Sequence, residues 1–381
     1  MKQELTYWIA LAHTPKMWTA RKNEIIAFCF QQGKSIIDFF SSDRFLGMEL
    51  KPQEIELLQQ TKNELANYAF MAEELLDQGY DIIPVTSKEY SPTLKSNLKY
   101  NSPIVLYTKG NKQILQEKSI AIVGSRNANE KSLLFTDNVA KKATSEYKVV
   151  VSGFAKGVDK QALDSTLTYK GQSVIVLPQG ITTFSSGIKK YYKQIIAGDI
   201  LVLSTFHPKL PWSIDLAMAR NSIIYGLASE IYAAQSDDKG GTWSGVTEGL
   251  KKGRQVYVRV PEKKEKCANQ ILISMGAVPV DIEGNEIQTD YPLLTKEDKV
   301  NILAPEPSPK ESIEDRIYEL LSKGTYSSKQ IIDALHLHDL SVQKMASMLS
   351  KMNNISKTKE GKSMKYSLTS TKRPKQLSLM L

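Results

Sequence analysis

Three glycine-rich turns carry most of the residues that could do chemistry in this sequence. Each follows a short apolar run and combines glycine with a hydroxyl group or a cation: GSR at 124–126, SGFAKGVD at 152–159 and KGGT at 239–242. Glycine lets backbone N–H groups come close to a ligand, and a helix that follows adds the positive end of its dipole. This chemistry is typical of phosphate binding. The candidate ligands are Gly124, Ser125, Arg126, Gly153, Lys156, Gly157, Lys239, Gly240, Gly241 and Thr242.

A fourth segment, MARNS at 218–222, adds Arg220 and Asn221 to this candidate site. Neither G-x-G-x-x-G nor G-x-x-x-x-G-K-[ST] occurs at the turns, which argues against an ordinary dinucleotide or P-loop site. No nucleophile elbow and no carboxylate pair stands out. The histidines, predicted to be structural or surface residues, are His13, His207, His336 and His338. We therefore expect anion binding without a metal, a cofactor or a catalytic residue.

The elements that must position these turns are six apolar, β-branched runs that begin at Ser119. They are SIAIVG, KVVVSG, SVIVLPQG, ILVLST, EIYAAQS and QVYVRVP, and the segments between them are long enough for helices. Strands that are apolar on both faces and alternate with helices indicate a parallel sheet covered on two sides. We predict a doubly wound, Rossmann-like α/β domain at 82–290, after a helical, SAM-like module at 1–81. The turns then meet at the carboxyl ends of the strands, where such domains bind ligands.

The C-terminal part has a different pattern. Residues 291–311 are rich in proline and charge and predict an extended linker. Residues 312–369 contain three short amphipathic helices and a hairpin that turns at Glu360-Gly361-Lys362, which predicts a winged helix. Such a domain binds either nucleic acid or another protein, and the sequence leaves both open. Residues 370–381 form a basic and apolar tail.

Charge is concentrated in that C-terminal part. The chain of 381 residues has a formal net charge of +9, and nine cations against the single acid Glu360 place +8 of it after residue 339. A basic unit on a nearly neutral body indicates a polyanionic partner, and the alternative is a solvated, solubilising tail. Two distant cysteines, Cys29 and Cys267, do not form a disulfide framework and suggest a reducing cytoplasm. No apolar run is long enough for a membrane span, and the N-terminus does not resemble a signal peptide.

Several motifs resemble the bacterial DNA-processing protein A (DprA/Smf) family. They are GSR after the first strand, SGFAKGVDKQALDSTL, RNSIIYGL and GRQVYVRVP, with the lead-in YDIIPVTSKEYSPTLKSNLKYNSPIVLYTKGN. The helical front and the winged-helix end match as well, so the resemblance covers nearly the whole chain. It implies a non-enzymatic, dimeric protein that binds single-stranded DNA in its Rossmann-like crevice. It also implies that RecA is loaded onto this DNA during natural transformation and homologous recombination.

The resemblance assigns the family's motif positions to residues of this chain. Ser125 and Arg126 take the GSR position, Arg220 and Asn221 begin the RNR motif, and Gly240, Gly241 and Thr242 stand at the SGS turn. Three positions differ from the family pattern. Lys156 replaces an arginine, Ser222 replaces the second arginine of RNR, and Leu163 replaces a histidine. A lysine is a point charge without the planar fork of arginine, so we expect phosphate attraction with a looser grip.

A second class of protein remains an alternative. KGGTWSGVTEGL is also similar to the GG-x-GT-x-x-E loop of lysine-decarboxylase-like phosphoribohydrolases, which cleave or sense nucleotides. Arg220 and Glu248 would then act on the nucleotide, with the carboxylate stabilising an oxocarbenium-like sugar. The DprA-like flanks and the basic C-terminal unit have no obvious place in such an enzyme.

Two further expectations concern recognition. Phe154 or Tyr225 could stack on unpaired bases in the crevice. At the end of the chain, Gln376–Leu381 reads QLSLML and resembles the peptide by which many bacterial proteins bind the DNA-polymerase sliding clamp. Met380 replaces the aromatic residue usual there. The alternative is that this apolar tail folds back on its own domain.

Overall fold

The computed structural model describes residues 2–295, 313–322, 324–335, 337, 341–352, 354–360 and 363–369. The chain divides into two compact units, Met1–Lys299 and Val300–Leu381. The first unit contains the helical front and the α/β domain. The finer boundaries proposed from the sequence, at residues 81, 290, 311 and 369, stay predictions. The motif Gln376–Leu381 lies outside the described residues.

The helical front is built around an aromatic cluster. Phe39, Phe40 and Phe45 are fully buried and in mutual ring contact, with centroids 5.2–6.5 Å apart. Local signals set where its helices begin, since Ser35 and Asp38 form a capping box and Pro52 opens a helix. The five helices are α1 Lys2–His13, α2 Thr19–Gln31, α3 Ile36–Ser41, α4 Pro52–Asn63 and α5 Leu65–Asp77.

A nine-stranded sheet forms the centre of the first unit. Its strands are β1 Asp81–Pro84, β2 Val105–Gly110, β3 Ser119–Val123, β4 Val149–Ser152, β5 Ser173–Val176, β6 Ile200–Ser204, β7 Glu230–Ala233, β8 Gln255–Arg259 and β9 Val278–Val280. The order is β1-β2-β6-β5-β4-β3-β7-β8-β9. The seven strands from β6 to β9 are parallel, while β1 and β2 add an antiparallel edge. The predicted doubly wound α/β fold is confirmed, and its six predicted strands are β3 to β8.

The order of the strands reverses between β3 and β7. From β3 the chain adds strands on one side as far as β6, and then crosses to the other side of β3 to place β7. In a doubly wound sheet the helices on either side of such a reversal diverge, which opens a crevice at the carboxyl ends of the strands. The turns after β3, β4 and β7 end at this crevice. They are the three glycine-rich turns of the sequence.

Helices cover both faces of the parallel strands, which is why those strands are buried along their length. The helices of this domain are α6 Pro92–Leu98, α7 Glu130–Ser145, α8 Val158–Thr168, α9 Ser185–Lys190, α10 Tyr192–Ala197, α11 Ile214–Ala219, α12 Asn221–Leu227, α13 Gly240–Lys251 and α14 Asn269–Ser274. The core on one face packs Phe135 and Val139 of α7 against Ile120, Ile122 and Tyr232. Among the described residues, no helix is both long and apolar enough to span a bilayer.

The second unit has its own small core, in which Ile317, Leu321, Ile331, Met345 and Tyr366 are buried together. Ser327 and Ser341 cap the helices that follow them. The elements are α15 Ile313–Ser322, β10 Tyr326–Ser327, α16 Ser328–Ala334, α17 Val342–Lys351, β11 Ile355–Glu360 and β12 Ser363–Leu368, with the three strands antiparallel in the order β10-β12-β11. The winged-helix assignment stays a prediction, and Gly361 and Lys362 of its predicted turn lie outside the described residues.

Candidate anion-binding site

The first two glycine-rich turns are packed directly on each other. The Ser125 N–H donates to the carbonyl of Gln235 at the end of β7, at 2.9 Å, and the Val158 N–H donates to the Ser125 carbonyl at 3.3 Å. Gly157 has a φ of +74°, and a Cβ there would lie 2.4 Å from the Ser125 oxygen. Both the left-handed backbone and the lack of space require glycine at this position. The turn after β4 is therefore held against the turn after β3.

The third turn meets the MARNS segment on the opposite side of the crevice. A Cβ on Gly241 would lie 2.6 Å from the side-chain nitrogen of Asn221, and one on Gly245 would overlap the ring of Tyr225. The Tyr225 hydroxyl donates to the Thr242 carbonyl at 3.4 Å. These close approaches bring α12 and α13 together, so that the N-terminus of α13 opens into the crevice.

The crevice contains a cavity of about 410 Å³. Two exposed cations, Arg126 and Lys239, stand at its wall. The first residues of α13 add backbone N–H groups without intrahelical partners. A helix N-terminus together with cations is a general arrangement for binding an anion. The candidate ligands that line this cavity are Gly124, Ser125, Arg126, Arg220, Asn221, Lys239, Gly240, Gly241 and Thr242.

Arg220 lies deeper than the other cations, with only 5% of the residue exposed. One nitrogen of its guanidinium is 3.5 Å from a carboxylate oxygen of Asp159, while its Nε has no hydrogen-bond partner among the described residues. Burial raises the pKa of Asp159 and lowers that of Arg220, and in both cases the opposite charge of the partner works against the shift. An arginine remains charged in proteins. Its unpaired Nε–H is thus an unused donor beside the cavity.

A second cavity of about 290 Å³ adjoins the first, because Arg126, Ala155, Ala217 and Arg220 line both. Its wall is aromatic. The Phe154 ring contacts Phe184 edge-on at 5.1 Å, and Trp212, which is 51% exposed, also lines it. Gly153 lines the second cavity and lies against the Arg220 guanidinium. One polar and one aromatic compartment therefore share the two arginines.

Three residues considered from the sequence are placed differently. Lys156 is exposed but lines neither cavity, because the tight turn that ends at Gly157 turns it outward. Tyr225 lines the first cavity, but it is only 7% exposed and packs on Gly245, so little of its ring is open to a base. Glu248 lines a separate small cavity and pairs with Lys252 at 2.6 Å. The Arg220 and Glu248 pair required by the hydrolase alternative is not brought together in one cavity.

The structure also adds residues that the sequence analysis missed. Asp159 and Asp237 bring negative charge to the first cavity, and Trp212 and Phe184 form part of the second. Asp159 follows the glycine turn and lies in the first turn of α8. Its position beside that turn is the one feature of the sequence that could have indicated its place in the site. Trp212 gave none, since the segment before α11 has no periodic pattern.

The described histidines and cysteines do not line the two cavities of the crevice. His13 of α1 contacts His207, which follows β6, and His336 and His338 lie outside the described residues. Cys29 and Cys267 are free thiols. Within the described part of the chain, no group of three or more His, Cys, Asp or Glu side chains could hold a metal ion.

Comparisons with known proteins show which family this chain resembles in sequence. A family model described as DNA recombination-mediator protein A matches residues 81–291. The chain is 31% identical over 159 residues to DNA processing protein DprA of Streptococcus pneumoniae, and 29% identical over 185 residues to DprA of Bacillus subtilis. These alignments cover 42% and 48% of this chain. They span 56% and 61% of the two relatives, less than two thirds of their length.

The fold is also found in a solved structure. The X-ray structure of DNA processing protein A from Streptococcus pneumoniae aligns with a TM-score of 0.58 and 22% sequence identity. The alignment covers 72% of this chain and 94% of that structure. The likeness concerns the architecture of the chain.

Proposed function

Because the chain belongs to the DNA recombination-mediator protein A family, whose model covers residues 81–291, we propose that it is a DNA-processing protein that binds single-stranded DNA in the crevice of its α/β domain. We propose that it serves DNA uptake during natural transformation and homologous recombination. It acts by holding a strand rather than by cleaving it.

The observation that carries this proposal is the junction of the two cavities at Arg126 and Arg220. The polar cavity, with Lys239 and the N-terminus of α13, suits a phosphate. The aromatic cavity, with Phe154 and Trp212, suits a base. In a duplex the bases are stacked and paired inside the helix, whereas an unpaired strand can turn a base into a pocket and place its phosphate beside it. Base–aromatic stacking stabilises such complexes by about 1–3 kcal/mol per base.

Binding without chemistry is supported by the positions of the acids. Glu248, the acid of the hydrolase alternative, is 55% exposed in its side chain and pairs with Lys252 away from Arg220. Asp159 lines the polar cavity but is buried and paired with Arg220, whose charge it offsets. Incubation with nucleoside monophosphates should therefore release no free base. Release of base that depends on Glu248 would contradict the proposal.

A gel-shift titration with single- and double-stranded oligonucleotides tests the proposal across a salt series. We expect tighter binding of the single strand at every salt concentration, with affinity falling as salt rises, because phosphate contacts release counterions. Removal of an indole ring by Trp212→Ala should weaken single-strand binding more than double-strand binding. Equal affinity for both forms of DNA in the intact protein would overturn the preference proposed here.

We further propose that the protein acts as a homodimer in the cytoplasm and loads RecA onto the bound strand, as the family resemblance implies. Analytical ultracentrifugation measures the first part and RecA filament assembly on protein-coated DNA measures the second. A monomer at micromolar concentration, or filament assembly that is not accelerated, would contradict the respective part.

The segment Gln376–Leu381 supports a proposal about a second partner, the sliding clamp of the DNA polymerase. Short peptides of this kind bind by placing a few anchor side chains in a pocket. A peptide of residues 370–381 should bind the purified clamp, and a Gln376→Ala/Leu379→Ala peptide should not. Equal binding by both peptides would end this proposal.

A further inference from the structure

A second basic surface lies at the same edge of the sheet as the crevice. The loop 261–268, which joins β8 to α14, carries Lys263, Lys264 and Lys266, and all three side chains are exposed. Strand β8 neighbours β7, so the loop leaves the carboxyl end of the strand next to the crevice. Neighbouring strands lie about 4.8 Å apart, which places the start of the loop within a few nucleotides of the crevice along a bound strand.

The loop is held firmly by a buried ion pair. The carboxylate of Glu265 accepts hydrogen bonds from the guanidinium of Arg259, which is only 2% exposed, and from the side-chain amide of Asn129 at 2.7 Å. Arg259 also donates to the Ala234 carbonyl at the end of β7, at 3.0 Å. The middle of the loop is therefore fixed to β8, to the start of α7 and to β7 at the same time.

The far end of the loop is hydrogen-bonded to the segment that leads from β7 to the crevice. The Ala268 N–H donates to the Ser236 carbonyl at 2.7 Å, and the Asn269 side chain accepts from the Ser236 N–H at 2.9 Å. Ser236 directly precedes Asp237, which lines the cavity two residues before the third turn begins at Lys239. The lysines consequently have a set position relative to the anion site.

The acids of the loop are already neutralised. Glu265 pairs with Arg259, and Glu262 lies 3.4 Å from Lys131. Within the described part of the chain, no ion pair within 4 Å involves Lys263, Lys264 or Lys266. The charge of these three lysines is thus available to an outside partner.

The cavity itself has little excess positive charge, so a bound strand needs cations outside it. Among its lining residues, Arg126, Arg220 and Lys239 are opposed by Asp159 and Asp237, and Asp238 lies beside them. A strand carries a negative charge at every nucleotide, so phosphates beyond the cavity need further cations. The loop supplies three of them on the side of β8.

We propose that the loop 261–268 is a second phosphate-contact surface, over which a single strand continues after it leaves the crevice. The inference rests on the proposed function. Lysines are flexible point charges without the fork that reads base edges, so the surface adds affinity for any sequence. Its contribution grows with the length of the strand, because a short oligonucleotide held in the crevice has fewer nucleotides left to contact the loop.

The test compares two triple variants of the full chain. One is Lys263→Gln/Lys264→Gln/Lys266→Gln. The matched control is Lys118→Gln/Lys170→Gln/Lys251→Gln, which removes the same charge from exposed lysines before the amino ends of β3, β5 and β8. Affinity is measured by fluorescence anisotropy across a salt series with oligonucleotides of about 4 and about 15 nucleotides, a range that brackets the sites of known single-strand binders. Thermal unfolding checks that both variants are folded.

For the longer oligonucleotide, we expect the loop variant to have a slope of log affinity against log salt that is shallower by about 2, at about 0.7 per lost phosphate contact. The control should keep a slope close to that of the intact protein, and the difference between the two variants should be smaller for the short oligonucleotide. If loop and control variants bind the longer strand equally, this inference is wrong while the crevice proposal stands. If the intact protein retains no single strand at all, the proposed function itself fails.

Discussion

The guanidinium of Arg220 occupies the space that a side chain on residue 153 would need. A Cβ built on Gly153 would lie 1.5 Å from one of the Arg220 nitrogens, and Arg220 in turn faces the Asp159 carboxylate. Arg220 reaches this position from the helical segment after β6, whereas Gly153 follows β4. Gly153 is therefore required for more than the turn after β4. It makes room for an arginine that comes from a distant part of the chain.

The substitution Gly153→Ala should displace Arg220. We expect the free energy of unfolding to fall by about 1–3 kcal/mol, since extra atoms in a packed site force such shifts. We expect single-strand affinity to drop about tenfold, or roughly 1.4 kcal/mol. Urea unfolding and fluorescence anisotropy measure the two effects. The control is Gly249→Ala in α13, where the nearest atoms would lie at an ordinary 3.4 Å and helix propensity improves. A Gly153→Ala protein that binds and unfolds like this control would refute the role given to Arg220.

The substitution Arg126→Ala should weaken single-strand binding for all sequences alike. Arg126 is exposed at the junction of both cavities, so its removal deletes a phosphate contact without leaving a buried charge. The slope of log affinity against log salt should become shallower by about 0.7–1. Lys118 precedes the amino end of β3, at the end of the strands away from the crevice, so Lys118→Ala should leave this slope unchanged. An unaltered slope in Arg126→Ala would remove Arg126 from the binding site.

Acid should destabilise the protein through His13. Its Nε2 lies 2.7 Å from the Tyr107 hydroxyl, and burial, together with His207 and Lys22, lowers the pKa of His13 to about 3. Between pH 6.5 and 3 the unfolded chain therefore binds a proton that the folded chain excludes, and stability rises with pH. The contribution of neutral His13 to the free energy of unfolding is complete above the pKa of histidine in the unfolded chain. It is lost as pH falls below that value, by about 1.4 kcal/mol per pH unit.

His13→Gln should remove this dependence. Unfolding by urea at several pH values between 6 and 4 should give a shallower pH dependence in the variant than in the intact protein, whatever the absolute stabilities. His207→Gln serves as the comparison, because burial and Lys209 lower the pKa of His207 as well, but His207 is less buried. We expect His207→Gln to change the pH dependence of the free energy of unfolding less than His13→Gln does. Parallel pH profiles for His13→Gln and the intact protein would contradict a buried neutral His13.

The second unit should add salt-sensitive affinity if it contacts DNA. Lys344, Lys357 and Lys359 are exposed on its third helix and its hairpin. Their joint replacement by glutamine should make the salt slope shallower by about 2 and preserve the preference for single strands. A slope equal to that of the Lys118→Gln/Lys170→Gln/Lys251→Gln protein would assign this unit to a protein partner instead.

The strand pattern and the glycine turns were readable from the sequence because both depend on local chemistry. Short, β-branched apolar runs such as those beginning at Ser119 and Val149, alternating with segments long enough for helices, indicate parallel strands covered on both faces. In a parallel sheet the turns after such strands lie at one edge. Glycine at 157 was likewise a local signal, since its positive φ requires it. The sequence by itself thus determined the fold class and the edge of the sheet at which the candidate site lies.

Side-chain direction at that edge was decided by the tertiary structure. Lys156 and Arg220 looked equivalent in the sequence, yet Lys156 faces solvent while Arg220 is buried beside Asp159. The difference arises from the packing of α12 between α13 and the strands, which involves residues some sixty positions away from Lys156 in the chain. Trp212 lines the second cavity for the same reason. Parallel strands bring the ends of distant segments together, and the distances between those ends are properties of the packed sheet rather than of any one segment.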